Sequence, residues 1–307
     1  MTANSSLIRS PKVQVLEQVI SDLKDAQSML SMNYIDGKLQ AYSGGSIERL
    51  RPTFWAATAL LARAYLYKSD YVGAEAQANS LINNGTVYKF ASLDSVFLKN
   101  STEAIWQLQP VNAGHNTEDA WVMVLPSTGP TTSYPVYLNQ NLLSAFEPND
   151  KRKVKWVNSV TSGIITYSYP YKYKSATLNA SITEYLMVLR LAEQYLIRAE
   201  ARAQQGNTSG ALSDLNAIRA RATLDPFVTT DKATLLAAIL HERQVELFTE
   251  WGHRWLDLKR FGAIDAVMSI VTPQKANNAP WQSYQQLYPV PVADILLDPN
   301  LSQNDKY

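Results

Sequence analysis

The sequence predicts a mainly α-helical protein, built from tetratricopeptide-like helical hairpins around a loop-rich region that contains a few short strands. Three observations predict it. Apolar residues recur at three- and four-residue steps over most of the chain, the period of an amphipathic helix. Two stretches each read as helix, turn, helix, and small residues in one stand 137 positions before small residues in the other. Between them lies a segment that loses the helical period and is rich in aromatic, proline and amide residues.

Taken in order, Val13, Leu16, Val19, Ile20, Leu23, Ala26 and Leu30 follow Ser10-Pro11, a cap and an N1 proline, and predict a first helix to about Leu30. Ser43-Gly44-Gly45-Ser46 reads as a turn or flexible loop rather than a phosphate-binding motif. The stretch RPTFWAATALLARAYLYKSDYVGAEAQANSLINNG gives a hairpin at about 51–84, with a break near Ser69-Asp70 and an end at Asn83-Asn84-Gly85. A second hairpin at about 185–222 matches it: Ala62, Ser69, Asp70, Ala74 and Leu81 align with Ala199, Gly206, Asn207, Ala211 and Ile218. Small residues fall where two helices approach closely, and such units need stacked neighbours to bury their apolar faces. Two unrelated hairpins remain the alternative.

The insert at about 87–183 holds STEAIWQLQ, a strand by composition, and later ITYSYPYKYK. Its alternation predicts Tyr167, Tyr169, Tyr171 and Tyr173 on one face, and Pro170 restricts it to an edge. After the second hairpin a helix is predicted at about 234–251, stacked on both hairpins, within C-terminal helices and a tail at about 234–307.

That last region holds the densest charge in the chain, ERQVELFTEWGHRWLDLKR from Glu242 to Arg260. Wound as a helix, Leu247, Phe248, Trp251, Trp255 and Leu258 share a face, while Glu246, Glu250, His253, Asp257 and Arg260 gather opposite, with a break at Gly252. Glu250 with Arg254, Arg243 with Glu246 and Arg254 with Asp257 stand at pairing distance along the helix. The charges are therefore expected to neutralise one another and to be structural rather than catalytic.

Composition narrows the function classes. The 307 residues are 46% apolar, enough for a sizeable core, and 28 basic against 27 acidic side chains leave no field to attract nucleic acid. Absence of cysteine removes disulfides, a thiolate nucleophile and cysteine-ligated zinc. His241-Glu242 opens a zincin-like motif, but Val245 stands where the second histidine is needed. There is no G-x-S-x-G, P-loop or G-x-G-x-x-G. No metal or cofactor is expected. Paired carboxylates of the glycosidase kind depend on distances in space, and nothing in the sequence favours them.

The ordered segments resemble the C-terminal two thirds of SusD/RagB-type nutrient-binding lipoproteins of the Bacteroidetes outer membrane. The two hairpins come first. The family's E-R-x-x-E-L helix and R-W-x-D-L-x-R follow as Glu242, Arg243, Glu246, Leu247 and Arg254, Trp255, Asp257, Leu258, Arg260. Its closing motif is approximated by Pro289, Pro291, Asn300, Leu301, Gln303 and Asn304. Trp251 departs from the family, standing where a glycine-rich turn is usual. The family's signal peptide, lipidated cysteine and earlier helical repeats do not appear, so the chain is expected to be a single SusD-like domain, 1–307, without its N-terminal part.

This resemblance implies a non-catalytic protein at the outer cell surface, anchored by a lipid in its full-length form. It would hold an oligosaccharide, or a peptide in some relatives, and pass it to a SusC-like TonB-dependent channel. Sugar capture needs rigid aromatic faces with amides and carboxylates to pair with hydroxyls. Placement and composition nominate Trp121, Tyr134 and Tyr137 with Asn116, Asp119 and Asn139, and a second cluster at Trp281 and Tyr284; no motif carries these residues over from the family. Each has a plainer role open to it: Trp121 as the core residue of a strand AWVMVL, Tyr134 and Tyr137 as loop residues around Pro135, Trp281 as cover for helix ends. A tetratricopeptide-like scaffold for proteins and a glycan hydrolase remain as rival functions.

Overall fold

The computed structural model describes residues 7–42, 46–275 and 278–307. Ser43, Gly44 and Gly45, read above as a turn or loop, lie outside the described residues. The chain divides into two compact units, one of Ile20–Trp251, the other of the residues up to Val19 with Gly252–Tyr307.

Helix α1 (Lys12–Met29) starts where the Ser10-Pro11 signal places it, and Val15 N–H bonds the Pro11 carbonyl. Of its apolar positions only Ile20 is fully buried, against Leu61 and Ala64. Helices α2 (Phe54–Lys68) and α3 (Tyr71–Ile82) form the first hairpin. Their sharp turn follows from two residues: Ser69 takes a left-handed φ of 64°, and Asp70 caps α3 by accepting from Gly73 N–H at 2.9 Å.

Strand β1 (Ala104–Leu108) arises from STEAIWQLQ as predicted. Helix α4 (Glu118–Met123) replaces the strand considered for AWVMVL; Thr117 caps it from Ala120 N–H at 3.0 Å, and Glu118 and Asp119 suit the positive end of the first turn. Helices α5 (Gln140–Leu143) and α6 (Lys151–Trp156) and the antiparallel hairpin β2 (Val157–Ser162) and β3 (Ile165–Pro170) complete the insert. Strand β3 stops at Pro170, so the four tyrosines do not share one face. Tyr173 instead enters the core, where its hydroxyl accepts from Met187 N–H at 2.7 Å. Strand β4 (Leu186–Arg190) pairs antiparallel with β1 and runs directly into α7.

Helices α7 (Leu191–Gln204) and α8 (Thr208–Arg221) repeat the first hairpin in detail. Gly206 takes φ 83° where Ser69 stood, and Asn207 caps α8 from Gly210 N–H at 2.9 Å where Asp70 capped α3. A Cβ on Gly73 would come within 2.9 Å of the Tyr65 ring, and one on Gly210 within 2.6 Å of the Asn207 amide, so both turns need glycine there. Ala62, Ala74, Leu81, Ala199, Ala211 and Ile218, the aligned small and apolar residues, are all completely buried. Helix α3 packs on α7, and α9 (Lys232–Glu246) on α7 and α8, burying Leu235 and Ile239. Each fully buried Leu or Ile contributes about 1.5–3 kcal/mol.

Helix α9 ends at Glu246, earlier than predicted, because the chain then turns through left-handed Thr249 and Trp251. In the other unit, α10 (His253–Arg260), α11 (Ile264–Lys275) and α12 (Val292–Leu297) precede a tail. There Gln303 brackets Val290, accepting from its N–H at 2.7 Å and donating to its carbonyl at 2.9 Å. Asn304 donates to the Tyr288 carbonyl at 2.7 Å. The closing motif is thus a clamp on the Pro289–Pro291 segment.

Candidate functional site

The charge-rich stretch is structural, but not as a solvated helix face. Glu242, Glu246 and Glu250 are buried, and their partners come from elsewhere in the chain. Arg190, at the end of β4, donates through Nε to Glu250 at 2.7 Å and through Nη1 to Glu246 and Glu103 at 2.6 and 3.0 Å. Its Nη2 reaches the Glu246 carbonyl at 2.8 Å and Glu250 at 2.9 Å. Arg152 joins Glu242 at 2.6 Å and Glu246 at 3.0 Å, and Arg221 bonds Glu103 and Glu246. The partners of these carboxylates thus come from β4, α6, α8 and the insert, at sequence distances that helical spacing does not reach.

The electrostatics follow from this packing. Burial alone would raise the Glu246 carboxyl, but Arg221, Arg190 and Arg152 outweigh it and hold it below the ordinary range. Glu250 is likewise lowered, with burial opposed by Arg190 and Lys172. Lys172 is lowered to about 8, chiefly by burial, with Glu250 opposing and Arg190 adding to the shift. Its ammonium lies 4.1 Å from the Phe248 ring centre and donates to Glu250 at 2.5 Å and to the carbonyls of Glu246 and Phe248. These groups cross-link β4, α6, α8 and α9.

Beside this network, a cleft of about 140 Å³ opens between α4 and the turn at Thr249–Trp251. Asp119 and Met123, one helical turn apart on α4, line one side; Thr249, Glu250 and Trp251 line the other; Tyr173 and Met187 are also in the lining. Burial raises the Asp119 carboxyl above its ordinary value, the charge of Glu250 adds to this, and Lys172 opposes it. Among the described residues no group hydrogen-bonds the Asp119 carboxylate. Trp251 is 49% exposed, has φ 43°, and donates its indole N–H to the Met187 carbonyl at 2.7 Å.

Trp121 lies on the opposite side of α4 from Asp119. Its ring stacks on His115 at 4.2 Å between centroids and 18° between planes, and Tyr134 tilts toward it at 6.4 Å. His115 is held in place by Glu118 at 2.8 Å. Tyr137 is 55% exposed and meets Tyr167 edge-on at 5.4 Å, on the β2–β3 hairpin. The structure therefore gathers Trp121 and Tyr134 with His115, places Asp119 in the cleft, and sets Tyr137 with Tyr167.

The two amides nominated with them do other work. Asn116 is buried; its Oδ1 accepts from Thr183 N–H at 2.6 Å and Glu184 N–H at 3.0 Å, and its Nδ2 donates to the Ser181 carbonyl at 3.2 Å. It staples two loops together, and its burial keeps the side chain from a ligand in solvent. Asn139 caps α5 from Leu142 N–H at 2.9 Å. His115, Tyr167 and Trp251 were missed by composition; the one signal was that Trp251 stands where a glycine was expected.

Trp281 and Tyr284 belong to the C-terminal unit. Trp281 donates to Asp265 at 2.7 Å and meets Trp255 edge-on at 6.1 Å, so it is tied to the helices it covers. Tyr284 packs against Tyr307 at 5.2 Å and lines a groove of about 620 Å³ with Lys259, Gln286, Gln303 and Asn304.

Comparison with known proteins bears on the family and the fold. A family model described as SusD family matches residues 77–307. The starch-binding protein SusD of Bacteroides thetaiotaomicron is 36% identical over 122 residues, 39% of this chain and 21% of that protein. The SusD-like protein P38 of Formosa agariphila is 31% identical over 147 residues, 44% of this chain and 27% of that protein. The matching stretches thus span about a fifth and about a quarter of these two relatives. A crystal structure of a SusD superfamily protein from Bacteroides vulgatus superposes with a TM-score of 0.75 at 27% identity, covering 99% of this chain and 68% of that one.

Proposed function

The chain belongs to the SusD family, and from that premise we propose that it binds an oligosaccharide at the outer cell surface and delivers it to a TonB-dependent channel without chemistry of its own. The observation that carries the binding reading is the half-buried Trp121 ring, stacked on His115 and flanked by Tyr134 on a short capped helix. A fixed aromatic plate offers apolar area to the C–H face of a pyranose at little entropic cost. The starch-binding name of one relative makes malto-oligosaccharides the first ligands to try.

Attachment to the outer membrane would be through a lipid anchor, as the family resemblance implies; among the described residues no helix is long and apolar enough to cross a membrane. Channel binding is tested by affinity capture of outer-membrane β-barrels on the protein, and the absence of chemistry by incubating it with oligosaccharides and looking for shorter products.

The binding experiment is calorimetry with malto-, xylo- and manno-oligosaccharides on the parent, Trp121→Ala and Tyr134→Ala. The parent binds at least one. Trp121→Ala weakens it about tenfold, a change of ~1.4 kcal/mol, and Tyr134→Ala less. If both variants fold and bind as the parent does, the plate is not the site.

A further inference from the structure

The turn at Thr249–Trp251 poses a physical problem that packing alone does not answer. Thr249 has φ 58° and Trp251 φ 43°, a β-branched and a bulky residue in the left-handed region that favours glycine. Strain of this kind persists only where the surroundings over-determine it, and it gathers at functional sites. Here they do: Glu250 is gripped by Lys172 and Arg190, and the Trp251 indole N–H is fixed on the Met187 carbonyl. With its one donor spent, the half-exposed indole has only an apolar face to offer. Beside it in the cleft, Asp119 offers the opposite, a half-buried carboxylate that no described group hydrogen-bonds. Glu250 also lines the cleft, but Lys172 and Arg190 match its charge, so the uncompensated charge an entering anion meets is that of Asp119. The volume, about 140 Å³, is close to the ~150 Å³ cavity that accepts a benzene ring.

We infer that this cleft is a saccharide subsite, separate from the Trp121 plate, that takes one pyranose ring carrying hydroxyl or ammonium donors and rejects rings carrying carboxylate or sulfate. Trp251 stacks on the ring and Asp119 accepts from its donors. This inference rests on the binding reading above and adds to it the charge class of the ligand.

The test compares maltoheptaose, a chitosan oligomer and an oligogalacturonate at one ionic strength, by calorimetry, on the parent and four variants. The parent binds the neutral or the amino sugar at least tenfold more tightly than the galacturonate. Trp251→Gly, which relaxes the backbone while removing the plate, weakens that binding about tenfold without lowering the melting temperature. Trp251→Phe keeps the plate and most of the affinity, so it replaces the glycine variant as control should that one misfold. Asp119→Asn, nearly isosteric, narrows the discrimination against galacturonate. If Trp251→Gly and Asp119→Asn bind as the parent does while Trp121→Ala loses affinity, the cleft is no subsite and the binding reading stands. Galacturonate binding as tight as the neutral sugar overturns the charge selection. No binding of any probe overturns both.

Discussion

Two clusters of titratable side chains meet at Glu250, and they behave in opposite ways. Around Arg190, buried carboxylates and guanidiniums satisfy one another in a closed network. A few residues away, Asp119 lines an open cleft with no hydrogen-bond partner among the described residues. The dense cluster is the one the eye picks out in the sequence, and it is the one with nothing to offer a ligand. What marks a binding site is unspent hydrogen-bonding capacity with access to solvent; the number of charges says little.

The largest effect should come from opening the closed cluster. Glu246→Ala leaves Arg152, Arg190 and Arg221 facing a buried gap, and Arg190→Met leaves Glu103, Glu246 and Glu250 without their shared cation. Each is expected to cost about 3–5 kcal/mol in urea unfolding, with sugar affinity of the folded fraction unchanged. A loss under about 1 kcal/mol, the worth of an exposed pair, would break the comparison, because the network would then be no better than surface charge.

The pH dependence sharpens it next. Glu246 and Glu250 lie below their ordinary value of 4.5 in the fold, so their contribution is present above that pH and is lost as the pH falls from it toward their folded values. Glu242, raised by burial despite Arg152, contributes with the opposite sign. At the alkaline end Lys172 titrates at about 8 in the fold and 10.5 when unfolded, so stability should rise with pH above about 8, because the unfolded chain binds the extra proton. The buried Tyr34, Tyr88 and Tyr173 hydroxyls, all raised first by burial, oppose that rise as the pH passes their ordinary value of 10. Urea midpoints that fall steadily from pH 7 to 9.5 would contradict this account of Lys172.

A smaller effect separates loop structure from loop function. Asn116→Ala strands three backbone groups of the 181–184 segment and is expected to cost about 1–3 kcal/mol in thermal or urea unfolding. Sugar affinity, measured below the new melting temperature, should stay within twofold. A tenfold loss of affinity at unchanged stability would return Asn116 to the ligand set.

How much of this was legible in the sequence depends on how far each partner lay. The two hairpins were readable because their determinants are local: Asp70 and Asn207 bond groups three residues on, and Ser69 and Gly206 sit where the turn needs a positive φ. Helix α4 carried its Thr117-Glu118-Asp119 start signal, yet the short apolar run after it fits a strand equally well, an ambiguity that short runs always carry. The charge network was unreadable because Arg152, Arg190 and Lys172 reach Glu242, Glu246 and Glu250 across the fold. Of the residues in the proposed sites, composition nominated Trp121, Tyr134 and Asp119, whereas the only sequence signal for Trp251 was its place where the family usually has a glycine-rich turn, and its left-handed backbone shows only in the fold.

The smallest expected effect is the one with the sharpest sign. Asp119 is raised in the fold, first by burial and then by Glu250, so keeping it charged at neutral pH costs stability rather than supplying it. Asp119→Asn removes that cost while preserving shape, and should leave stability unchanged or slightly higher, within about 1 kcal/mol. Glu246→Gln, the same chemical change inside the closed network, should be clearly destabilising, because three arginines lose the one counter-charge they share. Groups retained for binding commonly oppose stability in this way. Parallel urea titrations of the two variants at pH 7 decide the matter: opposite signs keep the two clusters distinct. Loss of stability in both would mean that Asp119 is a structural charge like its neighbours and that the cleft has no spare acceptor.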